Sequence, residues 1–587
     1  MAPQRHSSSR QPRRLWGWLV AVPVVALAVA AVALTWDGYQ LLRSKDDLAA
    51  HAAAVQSAIG ERDADTLVAE AAALETAARA FAAATDGPQW WLATHLPWVA
   101  DQAVPLQQAG AAVDAVAEGA LSPLASMGDL SALAAPEFVD GRIDPYLLEP
   151  YRPTLAEAAA VLATEVDSLD GTDLDGTIST VRDPFLELTD QLAEVREVVN
   201  GAHAAAEVLP TMLGGEEART YLVMVQNNAE PRTTGGIPGA VLEVSVDGGV
   251  ISLERYATAN SMIDRTGPVT LTEDELRIFG RRMEVYPQNV NFTPEYPRSA
   301  QLMSEFWAAE FGETPDGVLS IDPVALGYML AGAPATEVGP FSITGDNLAE
   351  VMLRDSYLEH PDPRDQDAFF VRASAELFGR LVGGDASAVS GIERAIDEAR
   401  FMAWSADAEE QQLLSSTVVG GAFLEDESAL GVFVNDGSGA KIGYYVDVHT
   451  DVVDHLCTNG SVGGQTVTVT LAHTFEGDVD KLPEYVATGA ANYPDGEFHA
   501  NVRLFPAAGT GVIALERDGE PSGVNPETLA GRSVASARVS LLPGESTSLV
   551  FEVVANVSGL RGLDVDITPG PKPNVYSTRS DDLLDGC

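Results

Sequence analysis

Apolar and polar residues alternate with different periods along this chain, and each change of period marks a change of structure. From Leu15 to Trp36 the sequence runs for 22 residues without a charge. A helix of that length, at about 1.5 Å per residue, spans a hydrocarbon core of about 30 Å. Arg5, Arg10, Arg13 and Arg14 precede the run and Asp37 follows it. The positive-inside bias therefore predicts a cytoplasmic tail at residues 1–14, a single-pass transmembrane helix at 15–36 and an extracellular remainder. Ala28-Val29-Ala30 and Ala31-Val32-Ala33 resemble cleavage sites, but the apolar run is longer than the roughly 7–15 residues of a cleaved signal, so an anchor in the cell membrane is expected.

Residues 37–210 are Ala-rich with helical spacing. Leu67, Leu74 and Phe81 lie seven apart, and Phe185, Leu188, Leu192, Val195 and Val199 step by threes and fours, each tracing one buried helix face. Asp86-Gly87-Pro88 reads as a stop. Trp90, Trp91 and Trp98 follow it in a Pro-flanked connection and are expected to pack between helices. At Thr220 the period shortens: TYLVMVQN and AVLEVSVDGG read as strands, and up to about residue 455 helical runs alternate with strand-like pieces such as GVLSID and LGVFVN. From 456 to 587 the runs QTVTVTLAHT, EFHANVRLFP and TSLVFEVVANV alternate with period two between Gly, Pro and Asp clusters. The expected fold class is thus multidomain: a transmembrane helix, an α-helical bundle or stalk (37–210), a central α/β domain (211–455) and a C-terminal Ig-like β-sandwich (456–587).

Composition adds two constraints. A net charge of -51, from 86 acids against 35 bases, repels a phosphate backbone and excludes nucleic acid as a main partner. The two cysteines, Cys457 and Cys587, fall on the expected exported side, where thiols pair. A disulfide between them would close a loop of about 130 residues, for which the chain-entropy model gives about 4 to 5 kcal/mol. His449, His455 and Cys457 match no zinc spacing, and no metal site is expected. Ser438-Gly439-Ala440-Lys441 has the S-x-x-K form, yet it lies between strand-like runs with no K-T-G triplet in the chain, so it reads as a hairpin connection.

The richest chemistry gathers where the first strand ends, at Gln226-Asn227-Asn228-Ala229-Glu230-Pro231-Arg232-Thr233-Thr234-Gly235-Gly236. Asn227, Asn228, Glu230, Arg232, Thr233, Gly235 and Gly236 form a candidate ligand-binding turn. Its backbone N–H groups and guanidinium suit an anion, and its acid and amides suit a cation. The same residues also suit a purely structural turn. The two readings differ in consequence: a site needs these groups to open on solvent, whereas a structural turn spends them on one another.

This stretch resembles the signature of the bacterial membrane-anchored family catalogued as domain of unknown function 4012. Further likeness lies in NFTPEYPRSA (291–300), DGVLSIDP (316–323), MAWSADAEEQ (402–411) and NDGSGAKIGYY (435–445). The resemblance implies an envelope protein without an established reaction, a non-enzymatic scaffold or accessory factor whose partners are surface polysaccharide or its assembly proteins, and no cofactor. DGVLSIDP is also faintly similar to the LytR-CpsA-Psr ligases, which implies an alternative: a phosphotransferase acting on lipid-pyrophosphate-linked glycans. In that case Arg232, Arg265 and Arg298 would neutralise phosphate while Glu230, Asn291 and Asp322 held Mg²⁺.

Overall fold

The computed structural model describes residues 64–127, 141–383, 388–489 and 493–555, with shorter stretches at 50–51, 54–55, 57–58, 138–139, 561, 564–573 and 575–584. The chain forms two compact units, one of residues up to 130 together with 157–196, the other of residues 131–156 and 197–587.

The first unit is helical. Its described helices are Ala64–Thr85, Pro88–Ala93 and Ala100–Val116, the last continuing through a π-helical turn at Ala117–Leu121 into Ser122–Ala125. Helices Arg152–Asp170 and Ser179–Met212 each lie partly in this unit. Alanine favours helix because it loses no side-chain entropy, and Gly87 with Pro88 ends the first run and starts the next. Ala71, Leu74 and Ala78 are buried along one face. Phe185, Leu188 and Leu192 pack with Ala109, Ala112, Leu169 and Leu174. The three tryptophans do not all pack as expected. Trp90 joins a small core with Ala84, Ala93 and Ala103, while Trp91 and Trp98 are 63% and 79% exposed. Neighbours on a helix point about 100° apart, so the turn that buries Trp90 turns Trp91 outward.

The second unit is built on strands. β1 (Arg219–Arg232), β2 (Gly235–Asp247) and β3 (Val250–Thr258) form an antiparallel meander. β4 (Gly317–Ile321) joins β1 in parallel after the helix Tyr296–Phe311, a short hairpin of β5 (Thr336–Val338) and β6 (Phe341–Ile343) follows, and β7 (Phe401–Ser405) pairs antiparallel with β4. The sheet order is β3-β2-β1-β4-β7. Leu302, Met303, Phe306 and Trp307 of the helix bury one face of it.

The remaining strands of the unit form two facing sheets, and helices such as Pro323–Met329, Pro363–Val382 and Ala408–Ser415 also belong to it. β8 (Leu430–Asp436), β9 (Val446–Cys457), β10 (Val462–His473), β11 (Phe498–Phe505), β12 (Thr510–Arg517), β13 (Glu520–Ser522), β14 (Pro526–Leu529), β15 (Arg532–Leu541), β16 (Ser546–Ala555), β17 (Val565–Ile567) and β18 (Val575–Leu584) assemble in the orders β13-β12-β16-β10-β9-β18 and β14-β15-β11-β8-β17. Val467, Val469 and Leu471 of one sheet meet Val502, Leu504 and Val539 of the other.

The expected fold class is corrected on two counts. Among the described residues no helix is long and apolar enough to cross a membrane; the span expected from Leu15 to Trp36, and the tail before it, lie outside the described residues. Second, the β-rich part is not a separate Ig-like sandwich. Phe433, Phe505, Leu529 and Val534 belong to the same buried cluster as Leu222, Met224, Phe306 and Trp307, so the α/β sheet and the facing sheets share a core. Two edge strands, β17 and β18, are parallel to their neighbours, whereas an Ig-like sandwich is antiparallel throughout. Alternation reveals that a strand exists, but its partner is chosen by packing.

No free cysteine occurs among the described residues. Cys457 is buried at the end of β9, and Cys587 lies outside the described residues.

Candidate functional site

β1 and β2 meet through the two-residue turn Thr233-Thr234, with Arg232 paired to Gly235 and Pro231 to Gly236. The next pair is Asn227 with Ile237, so Asn228, Ala229 and Glu230 bulge from β1 opposite no residue of β2. A bulge re-aims side chains that a regular strand would alternate. It also explains the glycines. A Cβ on Gly236 would stand 2.2 Å from the Asn227 carbonyl and 2.5 Å from the Asn228 nitrogen, and one on Gly235, at φ 129°, would stand 2.0 Å from Gln226 Oε1. Only the absence of a side chain lets the bulged backbone cross there. The Gly236 N–H donates to Gln226 Oε1 at 2.9 Å.

The bulge carries Glu230 into an ion pair with Lys441, both buried. The Lys441 ammonium also lies 4.5 Å from the ring centre of Tyr485 and 5.0 Å from that of Tyr357. Beside this pair, Arg232 Nη1 stands 3.7 Å from Asp436 Oδ2 and its guanidinium covers Phe292. Burial alone would raise the pKa of Glu230, but Lys441 and Arg232 outweigh it and hold the carboxyl below its usual range. Burial pulls Lys441 down, and Glu230 more than reverses this. For Arg232 burial wins over Asp436 and Glu230, so its pKa is lowered. Asp436 is pushed up to about 6, chiefly by burial and secondarily by Glu230, against the pull of Arg232.

The amides and hydroxyls are spent on tertiary contacts. The Thr233 N–H donates to Asn435 Oδ1 at 3.0 Å, and Asn435 Nδ2 donates to Thr233 Oγ1 at 2.8 Å. Asn227 Nδ2 donates to the Tyr357 hydroxyl at 2.7 Å. Asn228 Nδ2 bridges Asp322 and the Pro569 carbonyl, both at 3.0 Å. Asp322 in turn accepts from Arg400 at 2.6 Å and from the Ala325 N–H at 2.7 Å, capping the helix Pro323–Met329. Arg400, whose side chain is wholly buried, reaches on to the carbonyls of Gly570 and Lys572. Asn291 Nδ2 donates to the Gly236 carbonyl at 3.1 Å. Gln226 Nε2, Asn228 Oδ1, Asn291 Oδ1 and Arg232 Nε are buried without a protein partner.

The candidate residues thus divide. Asn227, Asn228, Glu230, Arg232, Thr233, Gly235 and Gly236 come together, with Asn291 and Asp322 beside them, in a closed network. Arg298 belongs elsewhere: it holds Glu275 at 2.8 and 3.1 Å and the Thr270 carbonyl at 2.6 Å. Arg265 is exposed in a loop. Arg232 and Arg298 of the phosphate reading therefore serve separate partners and Arg265 stands apart in its loop, while Glu230, Asn291 and Asp322 likewise serve separate partners. Among the described residues no group of three or more His, Cys, Asp or Glu side chains is placed to hold a metal ion. Lys441 and Asp436 were missed as members of the network, although a lysine between two apolar runs, in a chain with only four, is a legible signal. Arg400 and Tyr357 carry no such signal.

Residues 216–357 match the family model described as Protein of unknown function (DUF4012). Comparisons with curated proteins and with solved structures yield no match.

Proposed function

We propose, from the premise that the chain belongs to the DUF4012 family, that it is an extracytoplasmic scaffold or accessory protein of the cell envelope, acting with surface glycopolymer or the proteins that assemble it. In this reading the signature hairpin is a keystone of the fold and performs no chemistry. One observation carries the structural half of the proposal: Glu230 and Arg232 are buried against Lys441 and Asp436, in a region where a diphosphate would have to displace existing ion pairs. Buried pairs of this kind hold a fold in one arrangement, because removal of either partner strands a charge. Export is supported by the register of the last strand. β18 runs parallel to β9 and brings Leu584 level with Cys457, three residues before Cys587, and a disulfide there belongs to an oxidising compartment.

Calorimetric titration of the purified protein with a polyprenyl pyrophosphate in the presence of Mg²⁺ tests the proposal. No saturable heat is expected. Saturable binding that Arg232→Lys abolishes while the circular dichroism spectrum is unchanged would establish the phosphotransferase reading instead.

A further inference from the structure

Away from the buried network, at the Thr220 end of the β1–β2 hairpin, lies a cleft of about 480 Å³ lined by Thr220, Glu243, Trp307, Glu313, Thr314 and Pro315. Thr220 and Asn228 are eight residues apart on β1, roughly 25 Å at about 3.3 Å per residue, so the cleft is a different place from the hairpin turn. Its composition departs from what the sheet requires. Side chains alternate across a strand, and Glu243 follows Val241 on the face that Trp307 covers. That position calls for an apolar residue. A buried carboxylate stands there instead, and a buried charge without a full complement of partners is costly to folding.

The partners present leave an excess of negative charge. Arg255, opposite Glu243 on β3, reaches Glu243 at 3.3 Å and Glu313 at 3.4 Å. One guanidinium therefore serves two carboxylates. Its own place is set by aromatic faces, 4.8 Å from the ring centre of Phe311 and 5.6 Å from that of Trp307. Burial raises the pKa of Glu243 against Arg255, and Glu313, both by its charge and by a hydrogen bond, raises it further. Among the described residues no group of three or more His, Cys, Asp or Glu side chains is placed to hold a metal ion, whereas an organic ammonium can donate to both carboxylates and to the threonine hydroxyls.

We infer that this cleft is a binding site for a compact organic ammonium, the Glu243–Glu313 pair receiving the cationic head and Thr220, Thr314 and Pro315 flanking the body of the ligand. The inference stands whether or not the hairpin turn is purely structural. Two sources share the chemistry, an amino sugar and a simple alkylamine, and titration of the full-length protein with glucosamine, n-butylammonium and uncharged glucose separates them. Saturable binding of the ammonium ligands is expected, with glucose at least tenfold weaker. Glu313→Gln should weaken ammonium binding about tenfold, and Glu243→Gln at least as much. Glu313 is half-exposed, so its variant reports on binding even if Glu243→Gln fails to fold. Equal affinities for the two ammoniums assign the site to the cationic head alone; tighter glucosamine extends it to the sugar ring. Absence of saturable ammonium binding, glucose binding as tightly, or unchanged affinity in Glu313→Gln overturns the inference.

Discussion

The two ends of the β1–β2 hairpin both carry charged side chains where a sheet would ordinarily place apolar ones, and they treat them in opposite ways. At the Glu230 end, two acids meet two bases, Glu230 with Lys441 and Arg232 with Asp436, all of them buried. At the Glu243 end, two acids share Arg255 beside an open cleft, and the Glu313 side chain is 56% exposed. The difference teaches how to read charge in a fold. Balanced and closed, it is architecture; unbalanced and open, it is a place for something else to bind.

The largest effect that tests this contrast should come from breaking one buried pair. Lys441→Ala strands the Glu230 carboxylate and should cost about 3–5 kcal/mol in urea unfolding. Combining Lys441→Met with Glu230→Gln removes both charges and should recover much of that loss. A single variant as stable as the parent would mean the network does not hold the hairpin.

Next in size is the backbone crossing. Gly236→Ala places a methyl group against the Asn227 carbonyl, and overpacking of this kind costs about 1–3 kcal/mol. Gly239→Ala, whose Cβ would meet the Val225 carbonyl at an unstrained 4.0 Å, should cost less under the same assay, and equal costs would refute the bulge as the reason for the Gly-Gly pair.

A pH effect separates the two buried acids. Asp436 has a folded-state pKa of about 6, above its ordinary 3.8, so between those values the folded state binds its proton more tightly. Its stabilising contribution is complete below about pH 4 and fades as the pH rises through 6. Glu230, held below its ordinary 4.5, contributes above that value and loses its contribution as the pH falls. Asp436→Asn should therefore gain stability relative to the parent between pH 4 and 6. Parallel stability curves for the two proteins across that range would contradict the burial of Asp436.

The smallest effect belongs to the open end. Glu313→Gln removes one exposed partner of Arg255 and should change stability by no more than about 0.5 kcal/mol, although it weakens ligand binding in the cleft. A destabilisation comparable to that of Lys441→Ala would erase the distinction between the two ends.

Much of the hairpin was legible before its structure was. The alternation in TYLVMVQN and AVLEVSVDGG marks β1 and β2, and the Gly-Gly pair marks a turn between them. The bulge at Asn228, Ala229 and Glu230 was not legible, because it inserts three residues without disturbing the apolar pattern on either side. Nor could Trp91 and Trp98 be sorted from Trp90: all three are equally apolar, and the helix turn decides between Trp90 and Trp91 while Trp98 falls in the turn beyond the helix, at φ 56°.

The sequence by itself determined which segments are helices and which are strands, because period and turn chemistry act within a few residues. It determined the net charge of -51, which needs no fold to be counted, and it carries the stretch at 216–357 that matches the DUF4012 family model. Only the tertiary structure decided that the signature residues are spent on Lys441, Asp436, Asn435 and Asp322, that one of the facing sheets contributes Phe433, Phe505 and Val534 to the core of the α/β sheet, and that Glu243 meets Glu313 beside a cleft. Those pairings join residues up to about 340 positions apart, as between Asn228 and Pro569. They are selected by which buried charges and apolar faces can be satisfied together, a condition on the whole chain that no local pattern records.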